Sequence, residues 1–279
     1  MIFFPNAKIN LGLYILDKRT DGYHNIQSLL YPVPLSDVVE IIAPAAQESG
    51  DKITCLCYGY PLDDASENLC IRAYNLLNKN FPLPAVRMSL YKNIPVGSGL
   101  GGGSADGTFM LKALNEHFSL GLTDEDLSRY ALRLGSDCPF FIRNLPSLVS
   151  GRGEGITPFD PVLGGIHILI AFPGIRINTG EAYSYIDARR SDPPPSAASL
   201  ESLILKGAES WKDMLVNHFE PFVFGRYPGI RRLKEQMYAM GAVYASLTGS
   251  GSAVYGLFRE EPRPGDISLN VKTWKGVLD

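Results

Sequence analysis

Apolar and polar residues alternate over Ala7–Ile15, which places Ile9, Leu11, Leu13 and Ile15 on one face of an extended chain and Lys8, Asn10 and Gly12 on the other. Residues 1–16 are therefore expected to open the fold as a strand or hairpin. Asp17–Tyr23, containing Asp21-Gly22, has the composition of a turn-rich loop. Val38–Ile42 and Ile53–Tyr58 read as further strands. The period then changes: Leu69, Ala73, Leu76 and Leu77 fall on one side of a helix that Ser66 would cap. Alternation returns at Val86, Met88 and Leu90, a strand that feeds a glycine-rich stretch, Ile94–Gly107.

Directly after those glycines, Phe109, Met110, Leu111 and Leu114 predict a helix. Thr123 opens the next one, with Asp124, Glu125 and Asp126 at its positive end and Leu127, Tyr130, Ala131 and Leu134 on its apolar face; Gly135 is the expected stop. Gly151–Gly155 reads as a turn between strands, Ile166–Phe172 as a buried strand, and Asp192–Ala198, with three consecutive prolines, as a surface loop. Ile230, Leu233, Met237 and Met240 form a helix face ended by Gly241. The turn Ser246–Ser252 and the strand Ala253–Phe258 follow, and beyond Phe258 little pattern remains. An early run of strands with two helices, lacking regular strand–helix repetition, indicates an α+β class. Pro158, Pro161, Gly164 and Gly165 place a boundary near residue 160, giving domains of 1–160 and 161–279.

Composition adds mainly exclusions. With 45% hydrophobic and 20% charged residues the chain has the make-up of a soluble globular protein, and a net charge of −3 offers no general polyanion surface, so nucleic acid is not an expected partner. No apolar run reaches the length of a membrane span, and Pro5, Asn6, Lys8 and Asn10 break the N-terminal run that a signal peptide would need. Cys55, Cys57, Cys70 and Cys138 have no zinc spacing and read as free thiols in a reducing cytoplasm. Nothing in the sequence implies an oligomer.

The chemistry gathers at the glycines. Five of them, Gly97, Gly99, Gly101, Gly102 and Gly103, precede a helix start, so loop amides and a helix N-terminus would face one place, as an anion requires. The stretch lacks the Gly-Lys-Ser/Thr ending of a Walker A loop. Its G-x-G-x-x-G has no acidic residue at a following strand end, as a Rossmann site needs, and no His-Arg-Asp or Asp-Phe-Gly accompanies it. A flexible turn with no ligand is the plain alternative.

Three separated motifs agree in order: Pro5–Leu11, Pro95–Asp106 and Leu247–Gly251. Together they resemble the GHMP kinase superfamily. Asp21–His24, Glu67–Leu69, Gly135–Phe141 and Pro173–Ile175 are similar, within it, to the kinases that act on a cytidine-diphosphate-linked methylerythritol in isoprenoid precursor synthesis by the non-mevalonate route. The resemblance implies two α+β domains with the active site in the cleft between them, the first like the second domain of ribosomal protein S5 and the second ferredoxin-like. It also implies ATP and Mg2+ as cofactors, a small-molecule acceptor phosphorylated on its 2-hydroxyl, and a cytoplasmic enzyme.

The roles it implies are these. Asp137 is the base and Lys8 its electrostatic partner, with Asn10 on the substrate or orienting Lys8. Pro95, Val96, Gly97, Ser98, Gly99, Leu100, Gly101, Gly102, Gly103 and Ser104 hold the ATP phosphates, Ser104 through its hydroxyl or by helping to hold magnesium. Lys92 reaches the nucleotide or is a solvated strand-end lysine. Asn68 touches the adenosine or caps its helix. Tyr23 and His24 recognise cytosine, opposed by Tyr183, although Tyr185 competes for that register. Thr179 and Gly249 complete the substrate side. From position alone, Asp137 is equally a turn former beside Gly135 and Pro139. A homoserine- or mevalonate-type kinase, or a non-catalytic nucleotide sensor, remains the rival reading.

Overall fold

The computed structural model describes residues 1–42, 52–62, 68–189, 199–263, 265, 267 and 271–279. The chain forms two compact units, interleaved in sequence: Met1–Ala7, Leu35–Val96 and Gly101–Leu145 make the first, and Lys8–Pro34, Gly97–Leu100 and Pro146–Asp279 the second.

In the first unit a sheet has the strand order β1 (Ile2–Phe3), β4 (Val38–Ile42), β6 (Val86–Lys92), β5 (Ile53–Gly59). The β5–β6 pair is parallel and the others are antiparallel. Along β6, Val86, Met88, Leu90 and Lys92 are buried while Arg87 and Tyr91 are exposed, the alternation the pleat dictates. The buried set packs on α1 (Leu69–Asn78), α2 (Gly102–His117) and α3 (Asp124–Leu134), with Val39, Tyr74, Leu77, Met110, Leu114, Leu127 and Ala131 in one core.

Two helix ends differ from expectation. Ser66 lies outside the described residues. The cap of α1 is Asn68, whose side chain accepts the amide of Cys70 at 2.8 Å. Thr123 and Asp126 close a reciprocal capping box on α3. Gly135 does end α3, but in extended backbone (φ 179°) that any residue adopts, so its left-handed freedom is not used. A short α4 (Phe140–Arg143) follows, buried at Phe140, Phe141 and Ile142.

The second unit holds two sheets. One runs β2 (Asn6–Lys18), β3 (His24–Ser36), β7 (Ser147–Ser150), β8 (Gly155–Pro158), and Gly151–Glu154 is indeed the turn between its last two strands. β2 starts in the first unit and enters the second at Lys8, and it is buried on both faces from Asn6 to Ile15. The polar row Lys8 and Asn10 is therefore interior, not a solvated face. The other sheet runs β10 (Tyr244–Leu247), β11 (Val254–Phe258), β9 (His167–Phe172), β12 (Lys272–Val277), all antiparallel. α7 (Glu220–Arg226) and α8 (Pro228–Ala239) cover it, and Val223, Leu233, Met237, Leu247 and Val254 share its core. α5 (Thr179–Arg189), α6 (Ser199–Ile204) and a 3-10 turn, Ala208–Asp213, complete the unit. The proline run 192–198 lies outside the described residues. Among those described, no helix is long and apolar enough to cross a membrane, and all four cysteines are free.

Candidate active site

The glycine stretch begins where β6 ends. Lys92, the last residue of β6, is buried, and its ammonium is held by Asp37 and, at 2.6 Å, by Asp106 of α2. The solvated alternative for Lys92 is thus excluded. Asp37 also accepts the amides of Asn93 (2.5 Å) and Ile94 (2.7 Å). Burial pushes the Asp106 carboxyl up to about 8, against the pull of the Lys92 ammonium and with the help of the Asp37 charge. Lys92 is itself shifted upward: burial disfavours its charge, but the two carboxylates outweigh that.

α2 then starts on glycine. Gly101 is its N-cap in the left-handed conformation (φ 74°) and supplies no side-chain cap. The first amides of the helix, at Gly102, Gly103 and Ser104, have no partner within their own helix, as at every helix start. Gly103 is exposed and Ser104 half-buried. Gly102 packs on the loop's entry: a Cβ there would lie 2.8 Å from Ile94 and 3.3 Å from the Lys92 ammonium. Further on, Asp137 is half-buried in the turn after α3. Thr108 of α2 pins that turn by donating to the carbonyl of Cys138 at 2.9 Å. Asn68 is buried; besides capping α1 it donates to the sulfurs of Cys55 and Cys57 at 3.7 and 3.9 Å.

Gly97–Leu100, the tip of the stretch, belongs to the second unit. The Lys8 amide donates to the Leu100 carbonyl (2.9 Å), Ala253 to Ser98 (3.0 Å), and the Thr248 hydroxyl to Gly99 (3.2 Å). A Cβ on Gly99, at φ 82°, would lie 2.1 Å from the Thr248 carbonyl, so only glycine fits. Lys8 is buried, and its ammonium donates to Asn10 Oδ1 at 2.7 Å. The same oxygen accepts the Gly249 amide at 2.9 Å and the Thr248 hydroxyl at 3.3 Å, while Asn10 Nδ2 donates to Ser28 at 2.9 Å. Asn10 therefore seats Lys8 and ties it to the Thr248–Gly249 turn. Thr179 and Ser250 share a hydroxyl contact of 2.9 Å.

The aromatic group is also in this unit. His24 is buried and stacks on Tyr183, with ring centroids 4.7 Å apart and planes within 12°. Tyr185 packs on Phe222 instead, which places Tyr183 rather than Tyr185 at His24. Asp187, one helical turn after Tyr183 on α5, meets His24 Nε2 at 2.6 Å and Lys18 at 2.7 Å. Partial burial works against its charge, but those two hydrogen bonds hold the Asp187 carboxyl below its usual range. An ionised carboxylate only accepts, so His24 Nε2 is the donor in that contact. Tyr23 is 53% exposed, with the Arg152 guanidinium 3.6 Å over its ring.

Known proteins resemble the chain over both units. Residues 68–144 match the GHMP kinases N terminal domain and residues 197–274 the GHMP kinases C terminal domain. The 4-diphosphocytidyl-2-C-methyl-D-erythritol kinase of Bacteroides thetaiotaomicron is 45% identical over 100% of both chains. The chain belongs to the 4-diphosphocytidyl-2-C-methyl-D-erythritol kinase family of GHMP kinases. It is an ATP-dependent kinase of mixed α+β fold. A crystal structure of 4-(cytidine 5'-diphospho)-2C-methyl-D-erythritol kinase superposes with a TM-score of 0.79 at 30% identity, covering 100% of this chain and 99% of the other. Mevalonate kinase from Methanococcus jannaschii, at 14% identity, 100% and 98% coverage and a TM-score of 0.75, shares the fold.

For this member of the 4-diphosphocytidyl-2-C-methyl-D-erythritol kinase family, sequence reasoning missed four polar residues beside the expected ones. Asp106 closes the glycine motif and was within view. Asp187 lies four residues after Tyr183, hence on the same helix face, a spacing that could have revealed it. Asp37 and Arg152 carry no such signal, because their partners are distant in sequence.

Proposed function

We propose that the chain transfers the γ-phosphoryl group of ATP, with Mg2+, to the 2-hydroxyl of 4-diphosphocytidyl-2-C-methyl-D-erythritol. The observation that carries this reading is the start of α2, where a turn made of glycine leads into first-turn amides with no side-chain cap. Residues Pro95 to Ser104 receive the phosphates, mainly through backbone N–H groups, and the Ser104 hydroxyl suits a magnesium ion that keeps most of its ligands from phosphate and water. Asn68 and Lys92 belong to the nucleotide half of the reaction as well.

Asp137 takes the proton of the acceptor hydroxyl as its oxygen bonds to phosphorus and ADP departs. Lys8, fixed by Asn10, offsets the negative charge that develops. His24 hydrogen-bonds the polar edge of cytosine, and Tyr23 and Tyr183 supply aromatic surface. Thr179 and Gly249 stand on the acceptor side. The matched stretches 68–144 and 197–274 fall on either side of residue 160, which supports assigning 1–160 to ATP binding and 161–279 to a second domain. Four free thiols are consistent with a cytoplasmic setting.

The test is ADP release with ATP and magnesium over four acceptors: the cytidylated methylerythritol, uncytidylated methylerythritol phosphate, mevalonate and homoserine. Release with the first alone is the expected result. Turnover of mevalonate or homoserine would remove Tyr23 and His24 as cytosine readers.

A further inference from the structure

We propose that Asp37, Lys92 and Asp106 form a buried clamp that positions the phosphate-binding loop, acting on ATP through the loop rather than by touching the nucleotide. The inference rests on the reading that residues 95–104 receive the ATP phosphates.

The loop needs such a device. α2 begins without a side-chain cap, so nothing at its own first residue fixes where its amides point. Asp37, at 0% exposure between β3 and β4, turns the chain at the other end by accepting both the Asn93 and Ile94 amides. That sets the direction in which the backbone leaves β6. Lys92 spans the gap between the two stems, with Asp37 on one side and Asp106 on the other. Asp106 lies four residues after Gly102 and on the same face of α2. Gly102 in turn rests on Ile94, within 2.8 Å of where its Cβ would be. Entry stem, exit stem and the two carboxyl groups thus meet around one ammonium, all within the first unit.

Three buried ionisable groups are a costly way to hold a fold, since apolar residues of the same volume would hold it as well or better. What the charges add is direction. An ammonium held between the Asp37 and Asp106 carboxyl groups fixes the rotation of α2 about its own axis and its slide relative to β6, which apolar packing leaves looser. The remaining Asp106 oxygen, Oδ1, is buried without a hydrogen-bond partner, so the clamp is not saturated for stability.

The experiment is steady-state kinetics on purified Asp37→Asn, Lys92→Met and their double variant, with direct titration of an ATP analogue and magnesium into each. The expected result is a rise in KM for ATP of at least about 10-fold in each single variant, one decade being about 1.4 kcal/mol. KM for the acceptor should stay within about 2-fold of wild type. The double variant, having lost both charges together, should be no worse than the worse single one. Asp106→Asn, which keeps an acceptor for the ammonium, should cost less than Asp106→Leu.

KM for ATP within about 2-fold of wild type in Asp37→Asn and Lys92→Met overturns the clamp. So does a loss of activity that follows only the folded fraction, with KM unchanged. A rise with Lys92→Met alone also overturns it, since a lysine that binds the nucleotide directly would be released, not disabled, by Asp37→Asn. If a single variant does not fold, the charge-neutral double variant carries the test. Wild type that fails to bind the analogue removes the phosphate-loop reading itself, a result distinct from all of these.

Discussion

Asp137 illustrates what a single position can carry. Its sequence setting fits a turn former as well as a base, and in the structure it stands half-buried in a turn that Thr108 pins from α2. Asparagine keeps the shape and removes the proton acceptor. Asp137→Asn is therefore expected to lower kcat by about 100-fold or more while the titrated affinity for both substrates holds, and near-normal turnover would exclude the residue as base. His24 is set by two neighbours, the Tyr183 ring and the Asp187 carboxylate. His24→Ala should raise KM for the cytidylated acceptor by about 10-fold or more and leave KM for ATP near wild type; equal losses for both would contradict a role in reading the base. The sequence named Lys8, Asn10, His24 and Tyr183 because each sits in a local motif. It did not name Asp37 as the holder of Lys92, because the pairing spans a separation in sequence that no local pattern records.

Along single elements, the periodic segments were legible and the irregular ones were not. β6, α2, α3 and α8 carry their burial as a period and β11 is a continuous buried run, and the expected segments match them closely. β12 was invisible because none of Lys272–Val277 is buried, so no alternation marks it. The cap of α1 was misplaced to Ser66 because serine and asparagine are both strong caps and only the backbone decides which is used. Within α2 the same substitution should act in opposite directions at two glycines. A Cβ at Gly107 would lie 2.7 Å from that of Leu69, where α1 and α2 pack, whereas at Gly103 nothing lies within 4 Å. Gly107→Ala should destabilise by about 1–3 kcal/mol through overpacking, and Gly103→Ala should stabilise by about 0.5–1 kcal/mol through helix propensity. Denaturant unfolding of both variants decides this; equal signs would contradict the packing described.

At the scale of the molecule, one buried acid shapes the response of stability to pH. The Asp106 carboxyl titrates at about 8 in the fold and near 3.8 when exposed, so the folded chain binds the extra proton between those values. Its contribution to stability is fully present below about 3.8, declines as pH rises, and is gone above about 8. Asp106→Asn, which resembles the protonated acid at every pH, should flatten the stability profile over that window. A variant profile parallel to wild type between pH 5 and about 8 would refute the shift. The seat of Lys8 has a different consequence, one in time. Asn10 and Ser28 leave the ribosome well before the Gly249 amide and Thr248 hydroxyl that share the Asn10 oxygen, which follow Asn10 by 239 and 238 residues. The seat of Lys8 is therefore completed only once residues 248 and 249 have been made, long after Lys8 and Asn10 themselves.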